Sequence, residues 1–463
     1  MYFEQFYLGC LAHASYLLIS GEEAVVVDPQ RDVDIYIEAA KQQGARIRHV
    51  FETHLHADFV SGHKELALRT GAQIYIGPNG GATLPHVEVR EGFELRVGTF
   101  RIQVLETPGH TPESICLLII DEEKSPQPWA VLTGDTLFVG DVGRPDLSKA
   151  FSATVLAGIL FDSLHNKLLT LPDDVTVYPG HGAGSLCGRN LGTSRSSTIG
   201  TERLTNYALQ VKERGVFIRE LTRNLPPCPD YFPHDAQINR AGAPALQDLP
   251  KLTAVKGQEL DRILGEGGVA IDVRTAEEFA AGHVPGSINI PLSGQFASWA
   301  GTLVDLNSRP VLIADNTEEL DEARTRLARI GLDLERGYLE GGVNEWKNAG
   351  YELEFFDQIR VQDLNTRLES EGVRVLDVRR SGEWQAGHIA VAMHHPLDRF
   401  KAKLPDLNRN ETVFVMCKGG YRSSIACSVL QRAGFTDVTN VVGGFDAWKG
   451  AGLPIVSETM CAA

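Results

Sequence analysis

Two histidines and an aspartate alternate in the segment His54-Leu55-His56-Ala57-Asp58, directly after the apolar run HVFE. Because side chains alternate between the two sides of an extended segment, we expect these three to lie on the same side. Three further groups, each beside a glycine, follow at His110, Asp135 and His181. Imidazole and carboxylate groups that converge on one point are typical metal ligands, so the pattern predicts a metal centre.

A second constellation follows the apolar run VFVM near the C-terminus. Its members are Cys417, Lys418, Gly419, Gly420, Tyr421, Arg422 and Ser423, and a helix-like stretch comes next. A cysteine between a strand and a helix lies where backbone N–H groups and the helix dipole stabilise a thiolate. The two glycines let the loop curl around the sulfur, while Lys418 and Arg422 add positive charge. The loop therefore predicts a nucleophilic sulfur that binds an anionic substrate.

Short apolar runs must position the histidines and carboxylates. Runs such as AVVVDP, HVFETH, FRIQVLETP, WAVLTGD and VTVYPG occur at close intervals, and each candidate ligand comes just after one of them. Ligands in open α/β sheets gather at such strand ends. We therefore predict a strand-rich α/β domain over residues 1–250, ending in an irregular proline-rich linker at residues 223–250.

The remainder of the chain contains an internal repeat. The segment IDVRTAEEFAAGHVPGSINIP, from Ile271, recurs as LDVRRSGEWQAGHIAVAMHHP, from Leu376. Later, GGVNEWKNAG from Gly341 recurs as GGFDAWKGAG from Gly443. Buried strands that alternate with helices indicate a doubly wound parallel sheet in each copy. We predict two such domains, at residues 251–355 and 356–463.

The first copy lacks the cysteine. Asp315 stands at the position of Cys417, and Glu318 and Glu319 replace the glycines and basic groups. Carboxylates cannot accept a sulfane sulfur and would repel an anionic substrate. We expect this copy to be catalytically silent and to have a structural role.

Composition narrows the classes of partner. The chain has 463 residues, 43% hydrophobic and 22% charged, with a formal net charge of -16. This charge disfavours nucleic acid and anionic membrane surfaces as partners. The longest apolar runs are far shorter than a membrane-spanning helix needs, and the N-terminus lacks the features of a secretory signal, so we expect a cytoplasmic protein. Seven scattered cysteines without a C-x-x-C pair argue against a disulfide framework.

The order H-x-H-x-D, G-H, G-D, G-H resembles the metallo-β-lactamase superfamily over about the first 220 residues. The resemblance implies an αββα sandwich with a metal at one edge. Hydrolases of the superfamily such as glyoxalase II have a further histidine after H-x-H-x-D that binds a second metal, whereas this chain has Phe59. The chain instead resembles the persulfide dioxygenases, which implies one Fe(II) bound by His54, His110 and Asp135.

The same resemblance assigns roles to neighbouring residues. His56, Asp58 and His181 are expected beside the metal as orienting or water-binding groups. Arg144 either orders the wall below the metal or is an ordinary turn residue, and Cys187 either positions a persulfide or is a small packing residue. Two imidazoles and one carboxylate leave three positions for substrate and dioxygen, although the same ligand types also suit zinc and manganese.

The cysteine loop, with D-V-R upstream and G-G-F-D-A-W downstream, resembles the rhodanese sulfurtransferases over residues 357–456. Protein tyrosine phosphatases share C-x-x-x-x-R-[ST], but the flanking motifs favour rhodanese. The resemblance implies that Cys417 accepts a sulfane sulfur, while the loop amides and Arg422 hold the terminal sulfur and the acceptor anion.

Together the resemblances imply a fusion enzyme of sulfide and persulfide detoxification. Its iron domain would convert a persulfide of glutathione, coenzyme A or another small thiol, with O2 and water, to sulfite and the thiol. Its last domain would join sulfane sulfur to sulfite as thiosulfate, and the usual form would be a homo-oligomer. Two alternatives are a zinc-dependent, glyoxalase II-type thioester hydrolase fused to a sulfurtransferase, and a non-catalytic sulfur sensor or carrier.

Overall fold

The computed structural model describes residues 1–148, 151–223, 225, 227–369 and 373–457, so that Cys461 lies outside the described residues. The chain divides into two compact units. Residues 1–249 and 328–331 form the first unit, and residues 250–327 with the described residues from 332 onward form the second. Every helix among the described residues falls short of the length or the apolarity needed to cross a bilayer.

Two mixed sheets make up the centre of the first unit, each of six strands within the described residues. The first sheet has the order β1-β2-β3-β4-β5-β6, with β1 (Tyr2–Leu8), β2 (His13–Ser20), β3 (Glu23–Val27), β4 (Arg46–Glu52), β5 (Gln73–Ile76) and β6 (Val87–Glu88). The second has the order β12-β11-β10-β9-β8-β7, with β7 (Glu94–Val97), β8 (Phe100–Glu106), β9 (Ile115–Asp121), β10 (Ala130–Gly134), β11 (Thr176–Pro179) and β12 (Ser197–Thr198). The helices are α1 (Asp34–Gln42), α2 (His63–Thr70), α3 (Ala153–Asn166), α4 (Ile199–Thr205), α5 (Tyr207–Gln210), α6 (Arg214–Thr222) and α7 (Tyr231–Ala241).

The core of the first unit lies between the two sheets. Alternate residues of the strands point into this layer, among them Tyr16, Val25, Phe51, Phe100, Ile102, Leu117 and Ile119. On the outer faces, Tyr36 of α1 and Leu66 of α2 pack against the first sheet, and Leu160 of α3 packs against the second. Burial of one stripe of each helix against an apolar sheet face is the usual source of stability in layered folds. The predicted αββα sandwich is confirmed.

The second unit contains two five-stranded parallel sheets within the described residues. The first has the order β13-β17-β16-β14-β15, with β13 (Ala254–Val255), β14 (Ala270–Asp272), β15 (Ile288–Asn289), β16 (Val311–Ile313) and β17 (Gly337–Leu339). The second has the order β18-β22-β21-β19-β20, with β18 (Asp357–Ile359), β19 (Arg374–Asp377), β20 (Ala392–His394), β21 (Val413–Met416) and β22 (Val438–Val441). The helices are α8 (Gly257–Gly265), α9 (Ala276–Ala280), α10 (Phe296–Leu303), α11 (Thr317–Ala328), α12 (Gly342–Asn348), α13 (Val361–Arg367), α14 (Ser381–Gln385), α15 (Tyr421–Arg432) and α16 (Gly444–Gly450). The identical strand order confirms the two doubly wound copies.

The prediction of an irregular linker at residues 223–250 is wrong in its centre. Helix α7 occupies residues 231–241 and buries Phe232 and Asn239. Proline is tolerated in the first turn of a helix, where Pro233 lies, because the N–H groups there have no intrahelical partner. The other prolines flank the helix, so the proline-rich composition concealed a regular element.

A buried ion pair follows β14 and recurs in the second copy. Arg274 Nη2 lies 2.6 Å from Asp272 Oδ2 and also donates to the Gly282 carbonyl. Arg379 and Asp377 repeat the same 2.6 Å contact. Burial raises the pKa of Asp272, and its bonds to Arg274 oppose that rise. The D-V-R motif therefore encodes a structural brace, because one ion of such a pair cannot remain buried without the other.

Replacing Arg274 with Ala should destabilise the first copy by about 3–5 kcal/mol, because it leaves the Asp272 charge buried without its partner. Hydrogen exchange of peptides from β14 and β16, measured in the full chain, reports this loss directly. As a control, Arg262→Ala breaks an exposed pair with Glu266 and should change protection by less than about 1 kcal/mol. Equal protection in the two variants would contradict the brace.

Candidate metal centre and cysteine loop

Three predicted ligands meet at neighbouring strand ends of the first unit. His54 follows β4, His110 follows β8 and Asp135 follows β10. The Nε2 atoms of His54 and His110 lie 3.8 Å and 3.5 Å from Asp135 Oδ2. All three side chains are buried, and one ligand atom from each lies within 4.8 Å of the others. The spacing therefore brings the predicted triad together.

The donor atoms of the triad fit a metal ion. His110 Nδ1 lies 2.8 Å from the Arg144 carbonyl, which fixes the ring with Nε2 facing Asp135. Within the described residues, His54 Nε2 and Asp135 Oδ2 are buried and have no hydrogen-bond partner. Buried polar atoms left unpaired cost free energy, and a cation between them would remove that cost. An outer carbonyl that orients a ligating imidazole is typical of metal sites.

The charges around the triad favour the ligating forms of the side chains. Burial lowers the pKa of His54 well below its usual range, and it lowers the pKa of His110 as well. Burial acts to raise the pKa of Asp135, but His181 and His54 outweigh it and hold that pKa well below the usual range. The site therefore presents two neutral imidazoles and one carboxylate, which are the states that bind a metal.

Two glycines allow the strand ends to approach this closely. Gly109 has φ +144°, and an added Cβ would lie 2.4 Å from Leu160 Cα. Gly134 has φ +48°, and an added Cβ would lie 2.4 Å from Thr53 Oγ1. Each glycine directly precedes a predicted ligand, so the G-H and G-D motifs reflect backbone geometry that other residues rarely adopt.

A second buried group lies at Asp58, His181 and Cys187. His181 donates to Asp135 Oδ1 at 2.7 Å, and its Nε2 lies 2.8 Å from Asp58 Oδ2. Burial opposes protonation of His181, but the two carboxylates raise its pKa well above the usual value. Burial, followed by the charges of Asp58 and Asp135, raises the pKa of the Cys187 thiol well above its usual value. Asp58, His181 and Cys187 thus lie together beside Asp135, with Cys187 as a thiol.

Arg144 lies in the wall of the site and not on the surface. Its guanidinium pairs with both oxygens of Asp146 at 2.7 Å and donates to the Leu186 carbonyl. Its backbone N–H donates to the Cys187 carbonyl at 3.0 Å. Since its own carbonyl orients His110, Arg144 links this predicted metal ligand to the segment that carries Cys187.

Several residues that support the site carry no local signal in the sequence. The ring of His56 lies beside the triad, with its centroid 4.1 Å from that of His54, and its Nε2 lies 3.2 Å from Asp28 Oδ1 and 3.6 Å from Glu52 Oε2. Asn239 of α7 donates to the carbonyls of His56 and Phe59 at 2.7 Å and 2.8 Å. Asn239 therefore holds the ligand loop from a helix that lies 180 residues later in the chain.

The cysteine loop has the predicted geometry at its sulfur. Cys417 follows β21 and is buried. Its Sγ accepts from the Gly420 N–H at 3.1 Å and from Ser423 Oγ at 3.4 Å. Gly420 has φ +101° at the start of α15, so the sulfur lies at the N-terminus of a twelve-residue helix. Both the N–H donor and the helix dipole stabilise a thiolate here.

The charged residues of the loop differ in their surroundings. Lys418 and Gly419 are exposed. Arg422 forms a two-pronged ion pair with Glu383, at 2.6 Å and 2.7 Å. Glu383 was not predicted as a partner of the loop, although it occupies the third position of α14, where a carboxylate often caps a helix. Arg422 is thus held in place beside the sulfur by a carboxylate of the same domain.

In the first copy, two backbone N–H groups of the loop donate to side chains of the same loop. The Asp315 N–H donates to Glu319 Oε2 at 3.0 Å, and the Glu319 N–H donates to Asn316 Oδ1 at 2.9 Å. These two N–H groups stand at the positions of Cys417 and Tyr421 in the second copy, so acidic and amide side chains of the first copy's own loop hold its backbone. That the first copy transfers no sulfur stays a prediction, which depends on Asp315 in place of the cysteine.

Both units match known protein families. The model of the metallo-beta-lactamase superfamily matches residues 8–181, and the model of the rhodanese-like domain matches residues 257–349 and 360–451. A metallo-beta-lactamase from Staphylococcus aureus subsp. aureus COL is 34% identical in sequence, with a TM-score of 0.66, over 73% of this chain and 98% of that one. The chain belongs to the metallo-beta-lactamase superfamily. It is a member that carries two rhodanese-like domains after the metallo-beta-lactamase domain, as predicted.

Relatives of the metallo-beta-lactamase domain include two kinds of enzyme. The mitochondrial persulfide dioxygenase of Homo sapiens is 32% identical over 175 residues, which cover 36% of this chain and 63% of the human protein. A hydroxyacylglutathione hydrolase of Brucella anthropi is 40% identical over 149 residues, covering 31% of this chain and 52% of the hydrolase. This chain thus spans between about half and two thirds of the length of these relatives.

The geometry predicts a graded response of metal binding to substitution. Asp135→Asn should abolish stoichiometric binding, because it replaces a ligand oxygen and its charge. His181→Gln should lower metal affinity by roughly 10- to 100-fold, because it removes only a partner of that ligand. Competition with a chromophoric chelator measures both, and Asp173→Asn, at an exposed carboxylate, is the control. Equal losses in the two site variants would instead make His181 a ligand.

Proposed function

We propose that the metallo-beta-lactamase domain is an iron(II)-dependent persulfide dioxygenase and that the last rhodanese-like domain transfers sulfane sulfur through Cys417. In the first reaction, RSSH, O2 and H2O give RSH, sulfite and two protons, where RSH is a small thiol such as glutathione or coenzyme A. In the second, sulfane sulfur joins sulfite to give thiosulfate. Both reactions remove reactive sulfur, which suits a role in persulfide detoxification.

The presence of Phe59 beside the site is the observation that favours a dioxygenase over a binuclear hydrolase. Its ring is completely buried, with its centroid 4.0 Å from the His13 ring and 4.3 Å from the His56 ring. An aromatic carbon face offers no lone pair to a metal, and it occupies the place where the hydrolases have a ligating histidine. A site with His54, His110 and Asp135 as protein ligands supports the mononuclear arrangement. Fe(II), when bound by such a triad, supplies open positions for a persulfide and for dioxygen.

The chain's own residues prepare this site for an anionic sulfur substrate. Asp135 and Asp58 contact the two ring nitrogens of His181 at 2.7 Å and 2.8 Å and raise its pKa, which favours the doubly protonated ring. Its charge offsets the negative charge of these carboxylates, which would otherwise repel a persulfide anion. The complete burial of the cluster excludes bulk water and strengthens each of these interactions.

Sulfur transfer requires only groups of the last domain. The Cys417 thiolate attacks the outer sulfur of RSSH, the S–S bond breaks, and RSH leaves as Cys417–S–S⁻ forms. Sulfite then attacks the outer sulfur of that persulfide and releases thiosulfate and the Cys417 thiolate. The Gly420 N–H and Ser423 Oγ, which already point at Sγ, stabilise the thiolate at the beginning and end of the cycle.

The proposed function is tested with full-length protein loaded with Fe(II) under anaerobic conditions and given glutathione persulfide. O2 uptake is expected in the wild type and is expected to vanish in Asp135→Asn. Cys417→Ser should consume O2 at the wild-type rate and accumulate sulfite, because thiosulfate formation is lost. Loss of O2 uptake in Cys417→Ser would contradict two separate sites, and absence of uptake in iron-loaded wild type would reject the dioxygenase.

A zinc-dependent thioester hydrolase is the second candidate, and the group Asp58, His181 and Cys187 favours it. These side chains offer three ligand atoms within 4.8 Å of one another, enough for a second metal in spite of Phe59. A binuclear zinc centre would hydrolyse a glutathione thioester with a metal-bound water.

Phe59→His separates the two candidates. Under the proposed function, zinc-loaded wild type binds one ion per chain and leaves S-lactoylglutathione intact, while Phe59→His gains a second ion because it restores an imidazole ligand. Metal analysis and thioester hydrolysis are measured on the same preparations, with Phe59→Leu as the control. Two zinc ions and thioester hydrolysis in the wild type would favour the hydrolase.

A further inference from the structure

We propose that the first rhodanese-like domain positions the cysteine loop of the second, through contacts of Asn289, Pro291 and Gly294 with helix α15. Tyr421 is the positioning residue of the loop in this arrangement. The inference deepens the proposed sulfur transfer and rests on Cys417 as its nucleophile. Both domains belong to the second compact unit, and the contacts lie within it.

One face of α15 is bonded to the end of β15 by buried polar groups. Ser424 Oγ donates to Asn289 Oδ1 at 3.0 Å, and the Asn289 N–H donates to Ser428 Oγ at 3.0 Å. Asn289, Ser424 and Ser428 are each 2% exposed or less. Because water does not reach these groups, each bond that is broken leaves an unpaired buried polar atom. The two bonds, one helical turn apart, therefore fix α15 both along and around its axis.

Asn289 is itself held rigidly within the first domain. Its Nδ2 donates to the carbonyls of Asp272 and Arg274 at 3.1 Å and 3.0 Å. These residues form the buried ion pair at the end of β14. The Asn289 amide thus donates through Nδ2 to its own domain and accepts through Oδ1 from α15. Movement of the helix is resisted by the brace of the first domain.

Tyr421 extends this anchor to the sulfur cradle. Its hydroxyl donates to the Pro291 carbonyl at 2.9 Å. Its ring lies over Gly294, where an added Cβ would approach two ring atoms to 2.5 Å. Tyr421 directly follows Gly420, whose N–H donates to Cys417 Sγ. The Gly420 N–H belongs to the peptide between Gly419 and Gly420, which only the backbone dihedral angles of Gly420 separate from the Gly420–Tyr421 peptide. Fixing Tyr421 therefore restricts the direction of that N–H, and the first domain acts on the sulfur through the backbone.

This arrangement gives the silent domain a chemical role. The domain has lost its own sulfur-accepting residue at Asp315 but retains the Asp272–Arg274 pair on which Asn289 depends. A preorganised N–H donor stabilises a thiolate only when its direction is fixed before reaction. The first domain therefore contributes to thiolate stabilisation without contacting the sulfur.

The test uses the full chain and two substitutions that leave Asn289 and Cys417 unchanged. Tyr421→Phe removes the hydroxyl, and Gly294→Ala displaces the ring from within the first domain. One control is Tyr338→Phe on β17, which two strands, β16 and β14, separate from β15. The other is Gly265→Ala, where an added Cβ would meet no atom within 4 Å. Alkylation of the Cys417 peptide by iodoacetamide is followed by mass spectrometry from pH 5 to 10, beside thiosulfate formation.

Both test variants should alkylate about 3- to 10-fold more slowly near neutral pH, the factor expected for loss of one hydrogen bond, with profiles moved to higher pH. Sulfur transfer should slow by a similar factor in kcat, while the controls match wild type. Unchanged profiles, or equal slowing in the controls, would overturn the positioning role. Slowed alkylation in a protein whose wild type forms no thiosulfate would retain the positioning role and reject the proposed transfer.

Discussion

The carboxylate of Asp135 lies at a point where water is excluded, and a buried charge of this kind must be compensated. His181 compensates one oxygen, while the other faces His54 and His110 without a hydrogen bond within the described residues. The strand ends of both sheets converge to satisfy this group. The ligand loop is in turn held by Asn239 from α7. A metal ion bound at this point would pair with the ligand atoms of His54 and Asp135 that have no hydrogen bond within the described residues.

The cysteine loop also stabilises a buried negative charge, but it does so with neutral hydrogen-bond donors. Cys417 Sγ is buried and receives the Gly420 N–H and the Ser423 hydroxyl, so a negative sulfur is stabilised by oriented dipoles. Arg422 adds a guanidinium group whose orientation is set by its ion pair with Glu383. One unit thus stabilises a fixed carboxylate that needs a cation, and the other stabilises a sulfur whose charge appears and disappears during the proposed cycle.

The sequence predicts correctly those parts of the molecule whose geometry depends only on residues within one short motif. His54, His110 and Asp135 follow apolar runs and lie beside glycines, so local sequence places them at strand ends. The same holds for Cys417. Asn239 and Asp28 could not be found in this way, because their partners lie far away in sequence and their own neighbours are unremarkable. Helix α7 was missed because prolines at its start and flanks resemble those of a linker.

The two rhodanese-like copies separate what the fold requires from what the chemistry requires. Both keep the Asp–Arg pair that follows the second strand of each sheet, since neither domain can leave one buried ion alone. Only the second copy keeps the cysteine, whose sulfur accepts from Gly420 and Ser423, whereas the first has Asp315 at that position. If the first domain had only a packing role, its contact with α15 would be expected to consist of apolar side chains. Burying the amide of Asn289 has a larger desolvation cost than apolar packing, and its hydrogen bonds offset that cost only when α15 has one defined orientation. Because α15 begins at the sulfur, this orientation also fixes the cysteine loop.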